Sequence, residues 1–178
     1  FVEVSGRQQL EFQGLVNTMA PLGQAGTLLL DPTDLTINNG TDNNITSAAG
    51  VVSPSGTPSV LTWSTIQTAL GSSNLEITTN GSSGTDSGKI TIDDASPDLN
   101  LAGRTLTFKA ASDININHDV KSTAQSGSLV FEAGSVGSTN SISIANGVQV
   151  SANKTTFTAD TITLNGGVSD QVVTTGND

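Results

Sequence analysis

The residues best suited to acid–base chemistry are one histidine and two aspartates beside it. His118 is the only histidine, and it lies five residues after Asp113 and directly before Asp119. A catalytic triad also needs a nucleophile positioned against such a pair, and the chain holds no Gly-x-Ser-x-Gly elbow. Asn117-His118-Asp119 separates two apolar stretches. We therefore predict a turn there, because Asn and Asp tolerate turn conformations.

A second acidic group, Asp93, Asp94 and Asp98, could in principle cleave glycans, since glycoside hydrolysis uses paired carboxylates. Asp93 and Asp94 are adjacent, and in a strand adjacent side chains point to opposite faces. We predict no catalytic site here and therefore no enzymatic activity. The basic residues that could assist are few: Arg7, Lys89, Arg104, Lys109, Lys121 and Lys154.

Two further patterns concern metal and sugar attachment. Residues 81–86, Gly-Ser-Ser-Gly-Thr-Asp, loosely echo half of a calcium-binding nonapeptide repeat. That motif needs several stacked copies to complete an oxygen cage, so one copy predicts a Gly-Ser loop without metal or cofactor. Asn-x-Ser/Thr sequons stand at Asn39, Asn44, Asn80 and Asn153. In a chain this rich in Asn, Ser and Thr, several sequons are expected by chance. They therefore neither predict nor exclude glycosylation.

Composition excludes several classes of protein. The net charge is −10 with six Lys+Arg, which opposes binding to nucleic acid. No apolar run approaches the roughly 20 residues that span a bilayer, so no membrane insertion is expected. Cysteine is absent, which excludes a disulfide scaffold and a thiolate zinc site. Ser, Thr, Asn and Gly supply 81 of 178 residues, while aromatic residues supply only 3%. The core must therefore consist mainly of Val, Ile and Leu, which favour strands.

An internal repeat organises the apolar residues. Each copy has alternating apolar residues around a Phe, then Ile-x-Ile or Ile-x-Leu, then a Val four residues later. The Phe positions advance by 23 and then 26 residues. Weaker copies occur at Leu28/Leu30 with Leu35/Ile37 and at Leu75/Ile77 with Ile90/Ile92, and Val2/Val4 with Leu10/Phe12 forms a partial copy. The clear copies are Leu106, Phe108, Ala110, Ile114, Ile116, Val120; then Leu129, Phe131, Ala133, Ile142, Ile144, Val148; then Phe157, Ala159, Ile162, Leu164, Val168.

This repeat predicts an all-β fold, a β-helix over residues 1–178 in which the strands of one turn stack on those of the next. Apolar residues at i and i+2 point one strand face inward, and Asn-Gly or Gly-rich segments such as Asn146-Gly147 bend the chain between strands. A single turn of the helix cannot bury its inner face, whereas stacked turns can. A hairpin-based β-sandwich is the alternative, but it does not require one fixed order of inward residues.

Residues 41–74 are predicted to form an insertion with one short helix near residues 64–70. Ser64-Thr-Ile-Gln67 fits a capping box, and Gly71 can end the helix. Trp63, Ile66 and Leu70 fall on one helical face. We expect that face to cover an apolar part of the strands, with a binding role for Trp63 as the alternative.

Several segments resemble the filamentous haemagglutinin-like exoproteins of the bacterial two-partner secretion pathway, over roughly residues 1–168. Gly26-Thr-Leu-Leu-Leu-Asp-Pro32 is the most specific of them. The Asn-Pro-Asn-Gly motif of the family's amino-terminal secretion domain is not found in this chain, so we expect a stalk segment downstream of that domain. The segments are 2–6, 15–18, 26–32, 35–38, 64–70, 74–78, 88–92 and 106–117.

The resemblance implies a right-handed parallel β-helix. It also implies a fibre that leaves a Gram-negative cell through a dedicated outer-membrane transporter and is displayed on the cell surface. It implies a structural and adhesive role in adhesion, aggregation or biofilm attachment, with a host cell, a neighbouring cell or a polysaccharide as partner. End-to-end self-association is expected as well, because the ends of a stack expose open strand edges. A glycan-cleaving enzyme and a glycan-binding module are the alternatives.

Overall fold

Strands that pair in parallel make up most of this protein. The structure is a computed structural model, and it describes residues 2–5, 18, 26–31, 34–43, 45–48, 51–54, 59–79, 87–134, 139–166 and 171–174. Within those ranges seventeen strands and one helix form three parallel sheets and one antiparallel hairpin. The prediction of a strand-rich protein with parallel sheets and one short helix is confirmed. Leu10, Phe12, Asn44, Asn80, residues 81–86 and Val168 lie outside the described residues.

The three parallel sheets take their strands in turn along the chain. The first sheet has the order β1-β2-β7-β9-β12-β15, the second β16-β13-β10-β8-β3-β6, and the third β11-β14-β17. The elements are β1 Val2–Ser5, β2 Thr27–Asp31, β3 Leu35–Asn38, β4 Ile45–Ala48, β5 Val51–Pro54, β6 Ser59–Thr62, α1 Trp63–Leu70, β7 Asn74–Thr78, β8 Ile90–Ile92, β9 Thr105–Ala110, β10 Ile114–Ile116, β11 Val120–Lys121, β12 Ser128–Ala133, β13 Ser141–Ile144, β14 Gln149–Ala152, β15 Lys154–Thr158, β16 Thr161–Leu164 and β17 Gln171–Thr174.

Register in the first sheet aligns like residues. Phe108 of β9 lies beside Phe131 of β12, which lies beside Phe157 of β15. The rings of these three residues stack with centroids 5.1 Å apart in each pair. Such a spacing follows from adjacent parallel strands, about 4.8 Å apart, that carry the same side chain at the same position. Equivalent Phe residues of the sequence repeat therefore lie directly beside one another in this sheet.

The second sheet repeats this logic with isoleucine. Ile114 of β10 pairs with Ile90 on one side and Ile142 on the other, and Ile142 pairs in turn with Ile162. Ile90, Ile114 and Ile142 have no exposed surface. The eleven residues from Phe131 to Ile142, against six from Phe108 to Ile114, do not disturb the register. Extra residues between strands are accommodated outside the paired segments.

The third sheet corrects one predicted equivalence. Val120 pairs with Val150, and Val150 pairs with Val172, whereas the sequence repeat predicts Val148 as the partner of Val120. Gly147 adopts a φ of +79°, and the Val148 N–H donates to the Ala145 carbonyl in a turn. Two more residues therefore separate Ile144 from Val150 than separate Ile116 from Val120. Val148 is still buried, but it lies ahead of the strand.

Helix α1 lies where the chain passes from the second sheet back to the first. Its predicted face is buried: Trp63, Ile66 and Leu70 are each at most 1% exposed. The predicted cap is wrong by two residues, because Thr62 is the N-cap and accepts from the Thr65 N–H. Asp42 explains the shift, since its carboxylate accepts from the Thr62 N–H at 2.8 Å and fixes that residue at the helix start. Gly71 ends the helix as predicted, in a right-handed conformation.

Residues 41–74 also contain strands that the sequence does not reveal. The hairpin β4–β5 is antiparallel, and β6 pairs with the edge of β3 that faces away from β8. The backbone of Val60 in β6 is bridged in turn by Asn43. In the described part of the chain, antiparallel pairing is confined to these two places. This parallel pattern contradicts the alternative of a hairpin-based β-sandwich.

The central rows of the core generate a stability prediction. Phe131→Asp should prevent folding, because it places a charge with no partner among buried rings. Phe131→Ala should reduce the free energy of unfolding by about 3–5 kcal/mol. Thr139→Ala is the control, since Thr139 is exposed, and its effect should stay within about 0.5 kcal/mol. Urea unfolding followed by circular dichroism measures all three. Equal midpoints for Phe131→Ala and Thr139→Ala would refute the assignment of Phe131 as a core residue.

Candidate functional site

The residues considered for acid–base chemistry around His118 do not converge on one another. His118 is exposed in the bend between β10 and β11. Oδ1 of Asp113 accepts from the N–H and the hydroxyl of Ser141, at 2.8 and 2.9 Å. Asp119 accepts from the Gln149 N–H at 2.7 Å and pairs with Lys121 Nζ at 2.7 Å. Both carboxylates are therefore directed at neighbouring strands, and the predicted turn at residues 117–119 is confirmed.

The three aspartates after β8 point in different directions along the stack of strands. Asp94 Oδ2 accepts from the Asn39 N–H at 2.7 Å, which lies just beyond β3. Asp98 accepts from the N–H of Thr123 at 2.7 Å and from its hydroxyl, just beyond β11. Asp93 is exposed. Because β3 and β11 lie on opposite sides of this segment, Asp94 and Asp98 do not converge on one groove.

These contacts belong to a recurrent arrangement that we call the turn clamps. In each clamp, an Asp or Asn side chain in a turn or at the start of a strand accepts a backbone N–H near the end of another strand. A hydrogen bond from an N–H group stabilises the charged form of a carboxylate. The clamps pair Asp34 with Lys89, Asp42 with Thr62, Asn74 with Thr105, Asp94 with Asn39, Asp98 with Thr123, Asp113 with Ser141, Asp119 with Gln149, and Asp160 with Asn140.

The turn clamps leave a signal in the sequence. Asp34, Asp113 and Asp119 each stand directly before an apolar residue that begins a strand's inward row, and Asp160 stands directly before the first residue of β16. This position places the carboxylate at the corner of a turn, next to the strand start of the adjoining repeat. Much of the acidity of the chain is thus explained by backbone capping rather than by a reactive cluster.

Two of the clamps lower the pKa of their carboxylate. Hydrogen bonds from the hydroxyl and the N–H of Thr123 lower the pKa of Asp98. For Asp119, partial burial raises the pKa, but hydrogen bonds from Lys121 and Gln149 and the charge of Lys121 outweigh it and the net shift is downward. Both groups consequently favour the charged form in the folded protein.

Trp63 does not offer an aromatic platform to a ligand. It is 1% exposed, and its Nε1 donates to the Asp94 carbonyl at 2.9 Å. Its ring meets that of Phe108 edge-on, at 6.2 Å between centroids and 83° between planes. The expectation that α1 covers apolar residues of the strands is confirmed.

A groove of about 590 Å³ lies between α1 and residues 95–97. Its lining combines amides, hydroxyls and apolar groups, and none of the lining side chains is ionisable. The sequence did not reveal it, because it joins side chains from segments some 25–30 residues apart and no local pattern connects them. The lining residues are Asn39, Trp63, Ser64, Gln67, Thr68, Ala95, Ser96 and Pro97.

The outer face of the second sheet carries a straight polar row. Thr36, Thr91, Asn115, Ser143 and Thr163 align strand by strand. Parallel strands space such a row by about 4.8 Å. Short neutral side chains keep this face even and weakly charged. It is a surface without any feature for bond-breaking chemistry.

Two of the four Asn-x-Ser/Thr sequons, at Asn39 and Asn153, lie in the described part of the chain. Asn39 is exposed and its Nδ2 donates to the Ala95 carbonyl, while Asn153 is half-buried. Within the described residues, no three His, Cys, Asp or Glu side chains come together as metal ligands. No helix in that part of the chain is both long and apolar enough to cross a bilayer.

The chain matches no family model, no curated protein and no solved structure.

The lowered pKa of Asp119 predicts a pH-dependent contribution to stability. A group whose folded pKa lies below its unfolded value stabilises the fold above the unfolded pKa, and that stabilisation is lost as the pH falls through the folded value. Asp119→Asn should therefore lower the melting temperature by a few degrees at pH 7, and the difference from wild type should vanish well below pH 4. Thermal melts at pH 7, 4 and 2 measure it.

Asp93→Asn provides the matched control for this experiment, because Asp93 is an exposed aspartate in a neighbouring turn. Its melting temperature should follow that of wild type at each pH. A deficit in Asp119→Asn that stays constant from pH 7 to pH 2 would contradict a role for the Asp119 charge.

Proposed function

We propose that this chain is a structural, non-enzymatic segment of an adhesive fibre on a bacterial surface. The observation that carries the proposal is the row of stacked rings formed by Phe108, Phe131 and Phe157, at 5.1 Å per step. A repeat that aligns like side chains over successive strands resists extension along its length and depends little on any single surface residue. This is the property that a stalk needs.

In this proposal the three parallel sheets are the three faces of a right-handed parallel β-helix. The chain visits the first, second and third sheets in a constant order, as with β9, β10 and β11 followed by β12, β13 and β14. Stacking one circuit on the next supplies each strand with a partner above and below. The circuits of β2/β3 and β7/β8 fit the same path, with α1 and residues 98–99 in place of the third strand.

The cellular setting rests on the resemblance of segments such as residues 26–32 to filamentous haemagglutinin-like exoproteins. We propose that the parent protein leaves a Gram-negative cell through a two-partner secretion transporter and remains extracellular. Its partner would be a host cell, a neighbouring cell or a polysaccharide. The absence of cysteine agrees with a chain that crosses the periplasm unfolded, because disulfides formed there would block passage.

A non-catalytic role agrees with how the carboxylates are used. Asp94, Asp98, Asp113 and Asp119 all accept backbone N–H groups. A general acid or base must instead reach a substrate proton. The turn clamps hold neighbouring repeats together, which is a mechanical use of the same groups.

Single-molecule stretching of the chain between terminal handles tests the structural role. A stacked repeat should unravel in steps of one circuit. The circuits that begin at Phe108 and Phe131 hold 23 and 26 residues, which corresponds to about 80–90 Å of contour each. Those that begin at Leu28 and Leu75 hold 47 and 31 residues and should give longer steps. Phe131→Ala should lower the force of the steps, and Thr139→Ala should not. Release of the whole folded segment in one low-force event would contradict the proposal and indicate a globular domain.

The end of the stack formed by β15 and β16 predicts self-association. Ile162 and Leu164 are 48% and 52% exposed, and they are the exposed large hydrophobic residues of the described chain. At the opposite end of the second sheet, Asn43 bridges the outer side of β6. A second copy would therefore meet this end with its own β15–β16 end, since an open edge with apolar side chains favours pairing.

Sedimentation velocity over a range of concentrations measures this association. Replacing Ile162 and Leu164 together by Lys should shift the protein towards monomer. Thr163→Lys is the matched control, because Thr163 lies between them on β16 and belongs to the outer polar row. A monomer at all concentrations, or equal dimer content in the two variants, would exclude this interface.

A further inference from the structure

The groove beside α1 has the chemistry of a ligand site. Its volume of about 590 Å³ falls within the roughly 300–1,000 Å³ of small-molecule sites. It lies on a protein of net charge −10, yet amides and hydroxyls supply all of its polar side chains. A charged ligand would find no counter-charge in this lining.

The polar side chains of the groove are held in place by contacts with neighbouring segments. Asn39 Nδ2 donates to the Ala95 carbonyl at 3.0 Å, and Gln67 Oε1 accepts from the Asn100 N–H at 3.3 Å. Ser96 Oγ accepts from the Lys121 N–H at 2.9 Å. Side chains that are already ordered lose little further conformational entropy when a ligand binds.

Each of these fixed side chains retains hydrogen-bonding capacity. The Gln67 amide has its two N–H groups, Asn39 has its carbonyl oxygen, and the hydroxyls of Ser64 and Ser96 can each donate. By contrast, the backbone carbonyls of Asp94 and Ala95 are occupied by Trp63 and Asn39. The hydrogen-bonding groups that these residues still offer to a ligand are therefore mainly side-chain dipoles.

We infer that this groove binds a short neutral saccharide. Sugar hydroxyls both donate and accept, which matches a lining of Asn, Gln, Ser and Thr. The C–H faces of a sugar ring can pack against the apolar groups of Ala95 and Pro97, and Trp63 also lines the groove. The inference stands apart from the proposed structural role, because stepwise unravelling requires no ligand.

Trp63 provides the reporter, because the chain has one Trp and no Tyr. Its emission should change saturably when cellotetraose, maltotetraose, mannotetraose or tetra-N-acetylchitotetraose is added in the millimolar range, for at least one of the four. Tetragalacturonate and a polar tetrapeptide of Gly and Ser are the comparison ligands. Both should give no saturable change, since one carries charge and the other lacks hydroxyl-bearing rings.

Two variants locate the binding. Ser64→Arg fills the groove from an exposed position on α1 and should weaken binding by roughly tenfold or more. Gln67→Glu keeps an acceptor for the Asn100 N–H but replaces the amide donor by a negative charge, and it should weaken binding several-fold. Ser126→Arg is the matched control, because Ser126 is exposed in a turn outside the groove, and it should bind as wild type does.

Circular dichroism and the wavelength of Trp63 emission without ligand confirm that each variant is folded. Saturable binding that is lost in Ser64→Arg and kept in Ser126→Arg supports the site. No saturable response to any neutral saccharide overturns it. So does an equal response to the acidic tetramer or the peptide, or equal affinity in wild type and Ser64→Arg.

Discussion

The strands of the three parallel sheets depend on the strands that pair beside them. A parallel strand donates and accepts hydrogen bonds on both sides, and its inward side chains rest on those above and below. Phe108, Phe131 and Phe157, with the Ile row of β8, β10, β13 and β16, show this as equal residues in exact alignment. A change in one position therefore affects two neighbours, while the outer residue beside it is constrained only by solvent.

The same constraint explains how polar residues are used. Turns between strands leave backbone N–H groups that must find acceptors, and the turn clamps supply them from the adjoining repeat. The carboxylates of Asp113 and Asp119 each accept an N–H at the start of a strand about 30 residues away. The acidic composition therefore contributes to cohesion between repeats, with Asp98 and Asp119 held in the charged state by their hydrogen bonds.

Differences in length between the repeats of this chain lie in the turns between strands. There the chain inserts β4, β5, β6 and α1 without disturbing the alignment of Leu35 with Ile90. The insertion has two consequences: β6, bridged by Asn43, limits the second sheet at one end, and α1 creates a groove against residues 95–97. The irregular segment is therefore where a concave surface arises beside the regularly paired strands.

The inward rows can be predicted from the sequence alone. Alternation and the recurring Phe, Ile-x-Ile order specify which side chains are buried, whichever strand pairs alongside. The sequence also indicated the buried face of α1 through the spacing of Trp63, Ile66 and Leu70. It did not determine features set by partners distant in the chain. Pairing of Val120 with Val150 depends on the turn at Gly147, and the cap at Thr62 depends on Asp42.

The turn clamps and the groove were likewise decided by tertiary structure. Asp98 meets Thr123, and Gln67 meets Asn100, only because stacking brings residues 25–33 positions apart to one level. Burial depends on each residue's own hydrophobicity and period, and these can be read locally. A hydrogen bond between repeats depends on the lengths of all the turns between its partners, and only the folded stack fixes those.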